Sequence, residues 1–316
     1  MSQGSGAFFG WAQQVAYGTA VTPPTKWVEC ESINVGDERK LIHKTMLGSV
    51  SRKNVVRGKH DPTLSVKFPL LWEGAEQLIK HAMGSVNTTG TNPYTHAFSL
   101  AAALPVGLTC YADIDDDNIS GDHVQQLIGA KIDKLTLTQE MDGTLDAEIE
   151  FIGREWVDVA KTSPTIPTYN AVDYAQMTLA TINPASANFE LPLRKFKLEI
   201  SNNLFKDRFV LTGAGKRSEP PRGGHRSVMV ETEIEYTSDT ALAYFKNATA
   251  TDLRFKWVNS AMNLTITTPK GYFQGSRPSA TDPGFIYITM PYDAVQSSAD
   301  NDELALTLVN TISSVG

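Results

Sequence analysis

The chain has 316 residues, of which 41% are hydrophobic and 20% charged, a composition typical of a folded globular protein. Its length exceeds the usual size of one domain, about 100–200 residues, so two domains are expected. The formal net charge of −7 argues against a protein that holds nucleic acid by neutralising its phosphates, and no apolar run approaches the ~18 residues of a membrane span.

The N-terminal sequence MSQGSGAFFGWAQQVAYG lacks a basic start and a continuous apolar stretch, so no signal peptide is predicted. The two cysteines, Cys30 and Cys110, do not form a C-x-x-C pattern. They predict neither a disulfide framework nor a zinc site. Synthesis in a reducing cytoplasm is expected.

The first group of predicted elements begins with the motif R-x-x-x-x-R-G-x-H at Arg52–His60. The next stretch, TLSVKFPLL, alternates apolar and polar residues, which predicts a half-buried strand. WEGAEQLIKHAMG then shows the apolar spacing of a short helix. Further on, KIDKLTLTQEMDGTLDAEIEFIG predicts a hairpin that turns at Asp142-Gly143.

The second half repeats this order. The motif returns as RSEPPRGGH, and its first arginine, Arg217, lies 165 positions after Arg52. VMVETEIEY predicts a strand, and SDTALAYFKNATA predicts a helix capped by Ser238 or Asp239. FIYITMPY and ELALTLVNTI are expected to take the place of the hairpin. The sequence therefore predicts an internal duplication with a first module at 1–158, a linker at 159–171 and a second module at 172–316.

The search for chemistry finds no convincing motif. LTGAGKRS lacks the spacing of a phosphate loop, and none of the six histidines has metal-ligand spacing. In DIDDDNISGDHV, which starts at Asp113, asparagine and valine replace the glycine and glutamate of a calcium loop, so an acidic surface turn is favoured. We therefore predict no enzyme activity, no cofactor and no metal site.

Four stretches together resemble the tail tube (major tail) proteins of long-tailed bacteriophages: AYGTAVTPPTKWVECESINV, SRKNVVRGKHDPTLSVKFPLLWEGAEQLIKHAMGS, YTHAFSLAAALPVGLTCYAD and GAKIDKLTLTQEMDGTLDAEIEFIGRE. The resemblance is strongest over residues 16–155 and reaches the second half through the repeat. It implies a mainly β fold of two tandem tail-tube-like β-sandwich or barrel modules, each with one short α-helix.

The resemblance also implies a function. The family's subunits join edge to edge into rings, and stacked rings form the tail tube through which DNA is ejected. A duplicated chain is expected to form the ring as a homotrimer. The implied partners are further copies of the chain, the tape measure protein and the tail terminator or distal tail proteins, with transient passage of double-stranded DNA and no membrane insertion. The expected location is the virion.

Two other function classes stay open at this point. One is another virion or secretion-system β-module, such as a capsid decoration protein or a secreted tube component. The other is a carbohydrate-binding β-sandwich protein or an enzyme whose residues converge from distant loops. Assembly of the purified protein into tubes would distinguish a tail tube protein from both alternatives.

The family's inter-ring loop corresponds to residues 37–57 and, through the repeat, to residues 202–222. The candidate contact residues are Arg52, Arg57, Arg217 and Arg222. For His60 and His225 a hydrogen-bonding role at a strand edge is expected. The second loop has EPP where the first has NVV, so the loops are expected to differ in rigidity.

The wall of the channel is expected to be acidic, because a basic wall would bind the phosphates that it must release. If the strands that follow the two loops line the channel, as in the family, their polar faces point inward. The candidate lumen residues are Ser65, Lys67, Asp146, Glu148, Glu150, Glu231, Glu233 and Glu235. The alternative for these carboxylates is an ordinary solvated outer face.

Overall fold

The computed structural model describes residues 7–44, 47, 54–114, 123–141, 143–161, 177–182, 189–190, 192–210, 215–237, 239–275, 277–278, 285–297 and 302–315. The first half contains β1 (Phe8–Gln13), β2 (Lys26–Glu29), β3 (Ser32–Lys44), β4 (Asn54–Pro69), α1 (Glu76–Met83), β5 (Gly84–Thr89), β6 (Tyr94–Leu100), β7 (Leu108–Asp113), β8 (His123–Glu140), β9 (Asp146–Ile152) and β10 (Glu155–Ala160).

The second half contains β11 (Met177–Ile182), β12 (Phe189–Glu190), β13 (Leu193–Ser201), β14 (Ser227–Glu235), α2 (Asp239–Lys246), β15 (Thr251–Asn259), β16 (Met262–Phe273), β17 (Tyr287–Ala294) and β18 (Ala305–Asn310). The alternating strands after both R-G-x-H motifs and both short helices lie where the sequence predicts them. The mainly β prediction is confirmed.

The strands pair antiparallel in three connected layers. The central sheet has the order β3-β4-β9-β8-β13-β14-β17. The second sheet has the order β12-β11-β15-β16-β18-β6-β5. The third sheet, β2-β1-β7-β8-β10, shares the first part of β8 with the central sheet. The arrangement belongs to the β-sandwich class.

Most of the buried hydrophobic residues in the described part of the chain form one large core with members from all three sheets, and a smaller cluster contains Trp27, Tyr111 and Val124. Along the central strands other than β3, buried residues alternate with more exposed ones, as Leu64, Val66 and Phe68 show on β4. This period of two places one apolar face inward and one polar face outward. The same core cluster contains Phe196 and Trp257 from the second half, whose rings lie 5.3 Å apart.

Two strand pairings join the predicted modules. β8 of the first half pairs with β13 of the second, and the C-terminal strand β18 inserts between β16 and β6. The expectation for FIYITMPY and ELALTLVNTI was wrong in detail: β17 pairs with β14 and β16 instead of with β18. The module boundaries stay a prediction, and most of the predicted linker at 159–171 lies outside the described residues.

The hairpin of β3 and β4 extends well beyond the central sheet. β4 pairs with β9 only from Thr63 onward, whereas its pairing with β3 continues to Asn54 opposite Lys44. We call the projecting part, residues 37–44 and 54–62, the arm. At about 3.3 Å per residue, the nine residues from Asn54 to Pro62 make the arm about 30 Å long. Most of the predicted loop at 37–57 is therefore strand.

Candidate assembly surfaces

The eight lumen candidates lie on one face of the central sheet. On β9, Asp146, Glu148 and Glu150 alternate with buried apolar residues. On β14, Glu231 and Glu233 alternate in the same way. A single row of laterally paired residues crosses all seven strands on this face: Ser32, Lys67, Glu148, Thr136, Glu199, Met229 and Asp293. The structure brings the candidates together, and their lining of a channel stays a prediction.

This polar face is acidic. Lys67 lies 3.0 Å from Asp146, and Lys195 lies 3.0 Å from Glu140. Hydrogen bonds to Glu31 and Asp146 raise the pKa of Lys67, so its charge persists and is already paired. The register places nine carboxylates on the face, and only five cations offset them: Asp146, Asp293 and Glu140, 148, 150, 199, 231, 233 and 235, against Lys67, Lys134, Arg194, Lys195 and Lys197.

One edge of the central sheet is β3. On β4, the Pro62 carbonyl accepts a hydrogen bond from Gly153 and the Leu70 N–H donates to Leu145, so even-numbered residues direct their main-chain groups towards β9. Successive residues of a strand alternate in this direction. The odd residues therefore face β3, and the register then directs the main-chain groups of Ile33 and Val35 away from the sheet.

The opposite edge is β17. The Tyr236 N–H donates to the Ile286 carbonyl at 2.9 Å, so even-numbered residues of β17 face β14. The odd residues face outward, and the Pro291 carbonyl accepts from Gln274 on that side. By the same alternation, Tyr287 and Thr289 present their main-chain groups at the edge. β16 covers the edge of β17 from Pro291 to Ala294 and leaves its first part unpaired. The edge of β3 and this first part of β17 are thus of the kind that invites pairing with another chain.

The arm is exposed and apolar on both faces. Ile42 lies opposite Val56 on one face, while Leu41 and Val55 lie on the other. These four side chains are 45–55% exposed. A two-stranded hairpin is marginal in water without a packed face, and exposed apolar patches mark contact sites. The arm therefore has the character of a contact surface.

The second predicted loop, 202–222, has a different structure from the first. It lies between β13 and β14 and packs against the base of the arm instead of projecting. The Lys59 Nζ is 2.6 Å from the Asp207 Oδ1, and the His60 N–H donates to the Gly215 carbonyl at 2.9 Å. A Cβ on Gly215, whose φ is +78°, would lie 2.8 Å from the Gly58 carbonyl oxygen. The close approach of the two segments requires glycine there.

Arg217 is buried inside the chain, with 1% of its surface exposed. Its guanidinium donates to the Gly153 carbonyl at 2.6 Å and to the Lys206 carbonyl at 2.7 Å, and it pairs with Asp61. A side chain enclosed in this way cannot reach a neighbouring ring. The structure therefore argues against the predicted inter-ring role of Arg217 and makes it a link between the two halves.

The other loop candidates differ in placement. Arg57 is exposed on the arm, whereas Arg52 lies outside the described residues. Arg222 is half-buried and donates to the Ala101 carbonyl at 2.9 Å. Sequence reasoning missed the contacts of Arg217 with Asp61 and Gly153 because these residues lie more than 60 positions away along the chain. Adjacent apolar residues in KLIH and NVV, in contrast, were a readable signal for the two-sided arm.

In the described part of the chain, no group of His, Cys, Asp and Glu has the arrangement of a metal site, and neither helix is long and apolar enough to cross a membrane. Of the acidic segment, Asp113 is buried and lies 3.5 Å from Lys161, while Asp115–Asp117 lie outside the described residues.

Comparison with known proteins gives one clear result. A family model described as "Phage tail tube protein" matches residues 4–294, which is most of the chain. No individual curated protein matches it significantly.

Proposed function

Since the chain belongs to the phage tail tube protein family, we propose that it assembles into closed rings that stack into the tube through which DNA leaves the virion. The chain is a structural component of the virion. The family's role as a tube protein implies self-assembly, and it suggests that the protein is not an enzyme. The observation that carries the proposal is the seven-stranded central sheet, which has an acidic face, an open edge at β3 and an edge at β17 that β16 covers only in part.

The junction between the two halves supports closure through these edges. Asn202 donates its N–H to the Asp133 carbonyl at 2.7 Å, so the even residues of β13, including Leu198 and Ile200, face β8. Ile33 and Val35 lie 165 positions before these two residues. Because of the repeat, the outward edge of β3 corresponds to the edge of β13 that pairs with β8 inside the chain. We propose that it pairs with the part of the β17 edge that β16 leaves unpaired, around Tyr287 and Thr289, in the next chain.

Strand geometry favours three chains per ring. With ~4.8 Å between strands and a tilt of about 40°, three seven-stranded sheets close into a barrel about 42 Å across. Side chains reaching inward by ~5 Å leave a channel about 30 Å wide, enough for a DNA duplex. Two chains leave about 18 Å, too narrow for the duplex, and six leave about 70 Å.

We expect native mass measurement of isolated rings to give three copies of the 34.5 kDa chain. Symmetry analysis of the tube is expected to show three-fold order, with six similar modules around the axis. Rings of six chains would reject the trimer while leaving the assignment to the family intact.

The proposed channel wall is the acidic face of the central sheet. A wall of like charge repels the phosphates weakly and offers no binding site at which the duplex stops. The arms are proposed to bridge stacked rings, and the segment 202–222 is proposed to support the base of the arm. Contacts with the tape measure protein and with the terminator or distal tail proteins at the tube ends belong to the same proposal.

A further inference from the structure

The arm carries a net positive charge in an acidic protein. Its residues, 37–44 and 54–62, include five lysines and arginines against Asp37, Glu38 and Asp61, so its net charge is +2. Because the whole chain has a net charge of −7, the remaining residues carry −9. The arm therefore differs in charge from the surface of the rest of the chain, and a second copy of the chain offers it an acidic partner.

The opposite end of the central sheet has complementary properties. The register places the Glu140 end of β8 and the Glu235–Tyr287 pair of β14 and β17 at the end of the sheet that lies away from the arm. Met141, which follows Glu140, is 67% exposed, and Phe285, which precedes β17, is 75% exposed. We call these five residues the far rim. It combines carboxylates with exposed apolar side chains.

We infer that the arm of one chain docks on the far rim of another copy, so that rings stack head to tail. The inference rests on the proposed function, because it identifies the surface that receives the arm. Contact between two arms would oppose two segments of net positive charge, whereas the far rim offers attraction together with cover for both apolar faces of the arm. Contact between two different surfaces also generates an open, polar stack.

The length of the arm agrees with this assignment. The part of β4 inside the sheet, Thr63–Pro69, spans about 23 Å, while the arm spans about 30 Å. An arm of that length passes beyond its own ring and reaches the sheet of the next one. Docking on the far rim then buries Leu41, Ile42, Val55 and Val56 against a second subunit.

Charge exchange tests the contact. Arg57→Glu is expected to reduce tube yield at least tenfold in negative-stain images, and Glu235→Lys is expected to do the same. The double variant R57E/E235K is expected to recover most of the yield, because the attraction is restored with its sign reversed. Arg254→Glu, the same change at an exposed position of the second sheet, is the matched control and is expected to leave tubes intact.

Cysteine pairing gives an independent readout. In tubes of Val56→Cys/Phe285→Cys, mild oxidation is expected to link chains into covalent multimers, whereas the control Val56→Cys/Val15→Cys is expected to stay monomeric on a denaturing gel. Val15 is 91% exposed but lies outside the far rim. The native thiols interfere little, because Cys110 is buried and burial raises the pKa of Cys30 to about 12.

The outcomes separate this inference from the proposed function. If the wild type forms tubes but R57E/E235K is not rescued and the V56C/F285C pair does not link, the far-rim assignment is overturned and the tube function stands. If R57E leaves tubes intact but abolishes binding of double-stranded DNA, the arm contacts nucleic acid and the inference is again overturned. If the wild type forms neither rings nor tubes, the proposed function itself fails.

Discussion

Replacing Arg217 with alanine is expected to lower the free energy of unfolding of the subunit by about 2–4 kcal/mol, because each buried hydrogen-bond acceptor that loses its donor costs about 1–3 kcal/mol. The variant loses the pairing with Asp61, and it leaves the Gly153 and Lys206 carbonyls without their donor. Charge reversal at this position is expected to prevent folding, in contrast to an exposed arm residue. Urea denaturation of the unassembled subunit measures the effect.

Arg39→Ala is the matched control. Arg39 is exposed and lies 3.3 Å from Asp37, and exposed pairs of this kind contribute at most about 1 kcal/mol. A loss at Arg217 no larger than the loss at Arg39 would contradict the assignment of Arg217 as a link between the two halves.

Replacing Val35 with proline is expected to abolish ring formation while the subunit stays folded. Proline has no N–H, and the Val35 N–H points away from β4, so the change removes a donor from the open edge without touching the existing ladder. Interruption of one edge of the central sheet blocks closure at every junction of the ring. Size-exclusion chromatography with light scattering is expected to show monomers of normal secondary structure.

Val35→Ala separates the effect of losing the valine side chain from the effect of losing the main-chain N–H. It loses the same half-buried side chain but keeps the N–H, and it is expected to assemble with at most a modest loss of stability. Normal rings from Val35→Pro would show that β3 does not form the junction.

Local pattern was enough to predict several elements. The alternation in TLSVKFPLL and VMVETEIEY identified β4 and β14, and the apolar spacing before Gly84 identified α1. The hairpin of β8 and β9 was predictable because its strands are adjacent and the intervening segment contains Asp142-Gly143. In each case the signal and the structure that it specifies lie within about 20 residues.

Long-range pairing was not predictable in the same way. The insertion of β18 between β16 and β6 joins residues about 200 positions apart, and no local pattern encodes it. The enclosure of Arg217 likewise depends on Asp61 and Gly153, which are remote in sequence. Arg52 and Arg217 occupy matching places in the repeated motif, so the motif alone gave no reason to expect different surroundings.

The candidate lumen face was predictable in part: local pattern indicated its residues, whereas the pairing of its strands was not predictable. The sequence identified which residues of β4, β9 and β14 point away from the core, because alternation fixes the faces of a strand. It did not show that these strands belong to one sheet spanning both halves, since that depends on the pairing of β8 with β13.

A density map of the assembled tube at side-chain resolution tests the central claim most directly. We predict three chains per ring, with the polar face of the central sheet turned towards the axis and with Glu148, Glu231 and Glu233 exposed in the channel. A channel lined mainly by lysine and arginine, or a tube in which this face points outward, would contradict the account.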